Sequence, residues 1–231
     1  MGNPELYQPE QEDVGHSETK PISRREFLET AIGAGAGLMN TSRLEAQYTI
    51  PQKDWVMTVE QARGYVSKEI HPELDRLIRD PKIPAGVSRR VSNLFTEIIS
   101  RKIGYEIVPA YQPNQRGMIA HMDYDPDKSQ EVLVVFAPAL QHARRDYQKE
   151  GLAPRDIEFT TGLIFAHERV HQELAVKNPL KNRMGKSPAV LEVNAQDEAQ
   201  AWGITVLEMI RTGQKAGYKL PKVITDYSEI F

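Results

Sequence analysis

Five residues, His167-Glu168-Arg169-Val170-His171, constrain this chain more than any other feature. They lie in a run from about Pro154 to Val176 in which Leu163, Ile164, Val170 and Leu174 recur at helical spacing together with both histidines. That pattern predicts one amphipathic helix with His167 and His171 on its apolar face. Residues four apart on a helix stand one turn above each other, a separation suited to a single metal ion. Glu168 is turned by about 100° from His167, close enough to approach a water at such an ion without being an obligatory ligand. The chain has no cysteine, which excludes disulfides, iron–sulfur clusters and a cysteine nucleophile and leaves His, Asp and Glu as the strong metal ligands.

Two histidines do not complete a zinc site, which takes a third protein ligand and keeps a fourth position open. The candidates downstream are Glu192, Asp197 and Glu198, and upstream His121 and His142. A helix is predicted after Ser187-Pro188, running to about Ile210. At about 100° per residue, Glu198 falls in one band with Leu191, Ala195, Trp202, Val206 and Met209, whereas Glu192 and Asp197 project toward the edge of that band or solvent. A carboxylate within an apolar stripe is costly to bury unless it is paired or binds a cation, which favours Glu198.

The rest of the chain alternates helix and strand signals. Thr58 and Gln61 form a capping box that opens a helix reaching Arg76 to Arg79, with Val66, Ile70, Leu74 and Leu77 inward and Pro81 and Pro84 beyond its end. A second helix is predicted from about Val87 to Ile103, closed by Gly104. Extended segments follow near 105–112, 117–123 and 131–136, read as a small antiparallel meander. The tail after Gly213 reads as mostly irregular. The expected architecture is α+β: a small antiparallel sheet packed with several helices, with the motif helix and the third-ligand helix after the sheet.

His167, Glu168 and His171 match the zincin motif, and Glu198 in E-A-Q-A on a later helix resembles the glutamate-ligand branch, the gluzincin-type metallopeptidases. The resemblance covers residues 105–210 in pattern. It implies a zinc ion held by His167, His171 and Glu198, with Glu168 as the general base acting on the attacking water. It also implies a peptide or protein substrate and an oxyanion donor, for which Tyr105, Tyr111, Tyr124, Tyr218, Tyr227 and His121 are candidates. Two positions differ from the extended pattern: Arg169 is charged where an uncharged residue is usual, and Glu173 replaces an apolar one. Arg169 sits about 200° round the helix from His167 and can point outward.

Residues 1–20 are polar and carboxylate-rich, which predicts a flexible leader. The following Ser23-Arg24-Arg25-Glu26-Phe27-Leu28, with the mild apolar stretch to Met39, resembles a twin-arginine export signal, with a cleavage site at Leu44-Glu45-Ala46. The reading divides the chain into residues 1–46, leader and signal, and residues 47–231, one zincin-like domain. It implies passage through the twin-arginine export machinery to a periplasmic or extracellular location. A chain without a genuine signal would be cytoplasmic, and an uncleaved signal would leave an N-terminal membrane anchor. No apolar run is long enough for a conventional membrane span.

Other classes fit less well. A net charge of −3 and a pI near 6.1 provide no positive field for nucleic acid. A di-iron carboxylate site needs a second E-x-x-H, which is absent from the sequence. Gly33-Ala34-Gly35-Ala36-Gly37 lacks the Lys-Ser/Thr of a phosphate loop. The rivals that remain are a noncatalytic extracytoplasmic protein that keeps the zincin scaffold for binding or structure, and a closed metal site in which His121 or His142 joins the motif histidines.

Overall fold

The computed structural model describes residues 56–110, 119–125, 127–175, 201 and 206–228; the side chains of Tyr124, Ala175, Tyr227 and Ser228 lie outside that description. The first helix, α1, spans Val59–Tyr65. Its capping box is as the sequence predicts: Gln61 N–H donates to Thr58 Oγ1 at 3.1 Å, and Thr58 N–H donates to Gln61 Oε1 at 2.8 Å. A π-helical segment, Val66–Ile70, joins α1 to α2, His71–Arg79. Val66, Ile70, Leu74 and Leu77 are all buried, as their spacing predicts. The chain leaves the helix at Asp80, and α3 occupies Ala85–Ile99.

Helix α3 thus ends short of Gly104. The left-handed residue after it is Arg101, with φ 60°, and Gly104 opens the strand β1, Gly104–Val108. A Cβ on Gly104 would stand 2.9 Å from Cγ2 of Val132, its partner across the ladder. The glycine serves close strand approach, not helix termination.

Strands β2, Ala120–Asp125, and β3, Gln130–Phe136, complete the sheet. Its order is β1-β3-β2, with β1 parallel and β2 antiparallel to β3. The expected antiparallel meander is therefore corrected to a mixed sheet. Leu133 to Phe136 form a continuous buried apolar run, which suits β3 to the centre. Glu106 in β1 and His121, Asp123 and Asp125 in β2 are polar residues that suit edge strands. A meander would have put the polar β2 in the middle.

Helix α4, Ala137–Lys149, follows β3 without a loop and corresponds to no element read from the sequence. Helix α5, Pro154–Ala175, is the predicted motif helix. Phe159, Leu163, Ala166 and Val170 of α5 join Leu77 of α2, Val87, Val91 and Leu94 of α3, and Leu133 and Val135 of β3 in one core. The helix packs against α2, α3, α4 and β2.

Of the helix predicted after Pro188, only Ala201 and the end from Val206 lie within the described residues, and α6 spans Leu207–Lys215. Gly213 sits inside α6, with its Cα against the Phe159 ring, and the left-handed turn comes at Gly217, φ 85°. A short helix α7, Lys222–Ser228, follows where irregular chain is expected. The architecture is α+β, with a three-stranded mixed sheet and several helices.

Candidate metal centre

The site is built from the second half of α5. Phe159, Leu163, Ala166 and Val170 define one buried side of this helix, and Thr161, Phe165, Glu168 and Gln172 define another on the opposite side. His167 and His171 project from the seam between these two sides. Their rings lie side by side, with centroids 4.5 Å apart and planes inclined by 33°. His171 is buried and His167 is half-buried. One turn of helix therefore presents two imidazoles from one face, as the four-residue spacing predicts.

Glu168 turns toward the sheet. It is buried, and its Oε2 accepts a hydrogen bond from the backbone N–H of Met122 at 2.9 Å. Strand β2 is an outer strand, so this bond satisfies an N–H on its open side. The carboxylate of the motif is thereby oriented by a strand 46 residues away in sequence.

Arg169 points away from both histidines, but the expectation that it faces outward is corrected. Its side chain is 13% exposed, and the guanidinium grips Glu97 of α3 with two bonds, Nη1 to Oε2 at 2.7 Å and Nη2 to Oε1 at 3.0 Å. Gln172 Nε2 donates to the same Glu97 Oε2 at 2.9 Å, and Arg169 Nη1 donates to Gln172 Oε1. Glu173 pairs with Arg90 of α3 at 3.4 Å. Burial pushes the Glu97 carboxyl up, but the hydrogen bonds from Arg169 and Gln172 and the positive charge of Arg169 outweigh it and hold the group below the usual carboxylate range.

The other candidates are distributed over the fold. His121 lies on the face of β2 opposite to Met122 and stacks on Phe136, with centroids 5.5 Å apart. His142 on α4 pairs with Asp146 at 3.1 Å. The Tyr105 hydroxyl is hydrogen-bonded to His71 Nε2 at 3.1 Å, and burial raises the phenol's pKa above its ordinary value. Tyr218 stacks on Phe159 with centroids 4.4 Å apart. These contacts tie Tyr105 and Tyr218 to the packing. Tyr111 and the side chains of Tyr124 and Tyr227 lie outside the described residues, as do Glu192, Asp197 and Glu198.

Among the described residues no three His, Asp or Glu side chains form a group able to hold a metal ion. Neither His121 nor His142 is therefore brought to the motif pair. The described part of the site comprises two imidazoles and the buried carboxylate of Glu168, which follows His167 in sequence. The Glu97 and Met122 contacts had no counterpart in the sequence reading, because they join residues 72 and 46 positions apart and leave no local periodic signal.

The leader and export signal, residues 1–46, also lie outside the described residues. Among the described residues no helix is long and apolar enough to cross a membrane. No family model matches the chain, and neither a curated protein nor a solved structure matches it.

Proposed function

We propose that this chain is a zinc-dependent hydrolase of the metallopeptidase type, with His167, His171 and Glu198 as zinc ligands and Glu168 as general base. The observation that carries this reading is the His167–His171 pair, with ring centroids 4.5 Å apart, on a helix whose next residue after His167, Glu168, is buried. Two imidazoles projecting from one helix face fit the nitrogen donors that zinc prefers, and the chain has no thiolate to compete with them. Glu198, which lies outside the described residues, is the third ligand that the zincin resemblance implies.

Bound zinc would supply Lewis acidity toward a carbonyl and a lowered pKa for water. Glu168 then takes up a proton and returns it to the leaving amine. The Met122 N–H engages one oxygen of Glu168, and since a carboxylate offers roughly four lone-pair directions in all, others remain for further donors. A peptide or protein is the substrate class that the zincin resemblance implies; the stretch of β2 at Met122 is already taken up by Glu168 and the packing of α5. The Ser23-Arg24-Arg25 signal supports action outside the cytoplasm after export by the twin-arginine route.

The test combines metal analysis with peptide cleavage. Equimolar zinc and zinc-dependent turnover are expected of the wild type, and Glu168→Gln should keep the metal and lose turnover. Zinc bound without any cleavage across a peptide library would favour the noncatalytic scaffold instead.

A further inference from the structure

The geometry points to the Glu97–Arg169–Gln172 cluster as a positioning clamp that sets the rotation and register of α5, and so the aim of His167 and His171. The inference rests on the reading of those histidines as metal ligands. Three bonds converge on the Glu97 carboxylate of α3: two from Arg169 and one from Gln172. Arg169 and Gln172 flank His171 in sequence. A single fixed carboxylate therefore holds the ligand-bearing turn of α5 at two points.

Rotation matters because the ligands sit far from the helix axis. Side-chain tips lie about 5–6 Å out, so turning α5 by about 15° would displace an imidazole by about 1.5 Å. A working site tolerates about 0.5 Å. Apolar packing alone is permissive at this scale, whereas a two-point guanidinium–carboxylate bond has a fixed direction.

Register is set by the order of charges. Glu97 meets Arg169 and Arg90 meets Glu173, so α3 and α5 run antiparallel along this seam. Sliding α5 by one turn in one direction brings Glu173 toward Glu97, and in the other brings Arg169 toward Arg90. Both slides place like charges together, so the pattern favours one alignment. The two arginines are largely buried, at 16% and 13% exposure, while Glu173 and Glu97 are 36% and 26% exposed, so the charges are partly shielded from solvent.

The test uses the full chain with Arg169→Gln, Arg169→Lys and Gln172→Met, at a temperature where each is folded by circular dichroism. Two quantities are read: the imidazole NMR signals of His167 and His171 without metal, and the affinity for zinc alone. In Arg169→Gln both imidazole signals should move and zinc affinity should fall roughly 10–100-fold. Arg169→Lys should restore only part of it, because an ammonium cannot reproduce the two-point fork. Gln172→Met, which leaves the ion pair in place, should shift both readouts less and in the same direction; it also serves if the arginine variants do not fold. A lowered unfolding midpoint with unchanged signals and unchanged zinc affinity would overturn the clamp and leave a purely structural ion pair. Signals that move in a protein whose wild type takes up no zinc would leave the clamp standing and remove the metal reading.

Discussion

Glu168 of α5 and Met122 of β2 are joined by a 2.9 Å hydrogen bond from backbone to carboxylate, so the motif helix and the outer strand are fixed to each other at the base. The bond separates the chemical from the structural role of Glu168. In Glu168→Gln the amide oxygen can still accept from Met122, and unfolding in urea should shift by less than about 1 kcal/mol. In Glu168→Ala the Met122 N–H loses its partner, and the cost should be about 1–3 kcal/mol. Both variants should lose turnover. Equal stability of the two would show that the bond contributes nothing.

Two glycines should respond to alanine with opposite sign. A Cβ on Gly213 would stand 2.3 Å from the Phe159 ring, which is buried and stacked on Tyr218. Gly213→Ala is therefore expected to lower stability by about 1–3 kcal/mol despite alanine's better helix propensity. Gly64 in α1 has nothing within 4 Å of such a Cβ. Gly64→Ala should raise stability by up to about 1 kcal/mol, read from thermal or urea unfolding.

Acid should weaken the fold through His71. Its ring packs among Phe95 and Tyr105, and burial lowers its pKa below the ordinary value of 6.5. Between the two pKa values the unfolded chain binds more protons than the native one, so stability rises with pH. His71's contribution is complete above about pH 6.5 and is lost as pH falls through the folded pKa. His71→Gln, which keeps a polar partner for Tyr105, should flatten that slope in urea midpoints measured across pH 4–8. An unchanged slope would assign the loss to other groups.

The export reading makes a separate prediction. Arg24→Lys combined with Arg25→Lys should abolish transport, measured by fractionation of cells producing the full chain. Continued transport would remove the twin-arginine assignment and leave the metal chemistry untouched.

Local signals in the sequence translate directly into structure where the responsible forces are themselves local. The Thr58–Gln61 box depends on three residues of separation, and the helical spacing of Val66, Ile70, Leu74 and Leu77 describes the side of the chain that is buried. The pairing of His167 with His171 is likewise one turn of helix. Strand order is different, because it depends on which strand can be buried on both faces. The run Leu133 to Phe136 carried that information, yet sequence adjacency suggested a meander. Gly104 and Gly213 resemble helix terminators by type, but each is selected by a distant side chain, Val132 and Phe159 respectively. Helix α4 begins where β3 ends, with no loop between them and Pro138 in its first turn as the local signal of its start. Arg169 looks like a solvent-facing charge until Glu97, 72 residues earlier in the chain, is brought beside it.

The most direct test of the central claim is zinc-edge X-ray absorption on the zinc-loaded full chain, compared with His171→Ala and Glu198→Gln. One zinc per chain, with two imidazole nitrogens and the remaining ligands oxygen, is the expected spectrum of the wild type; one imidazole should disappear in the first variant and zinc affinity should drop in the second. A chain that takes up no zinc, or zinc with no imidazole in its coordination sphere, would contradict the account.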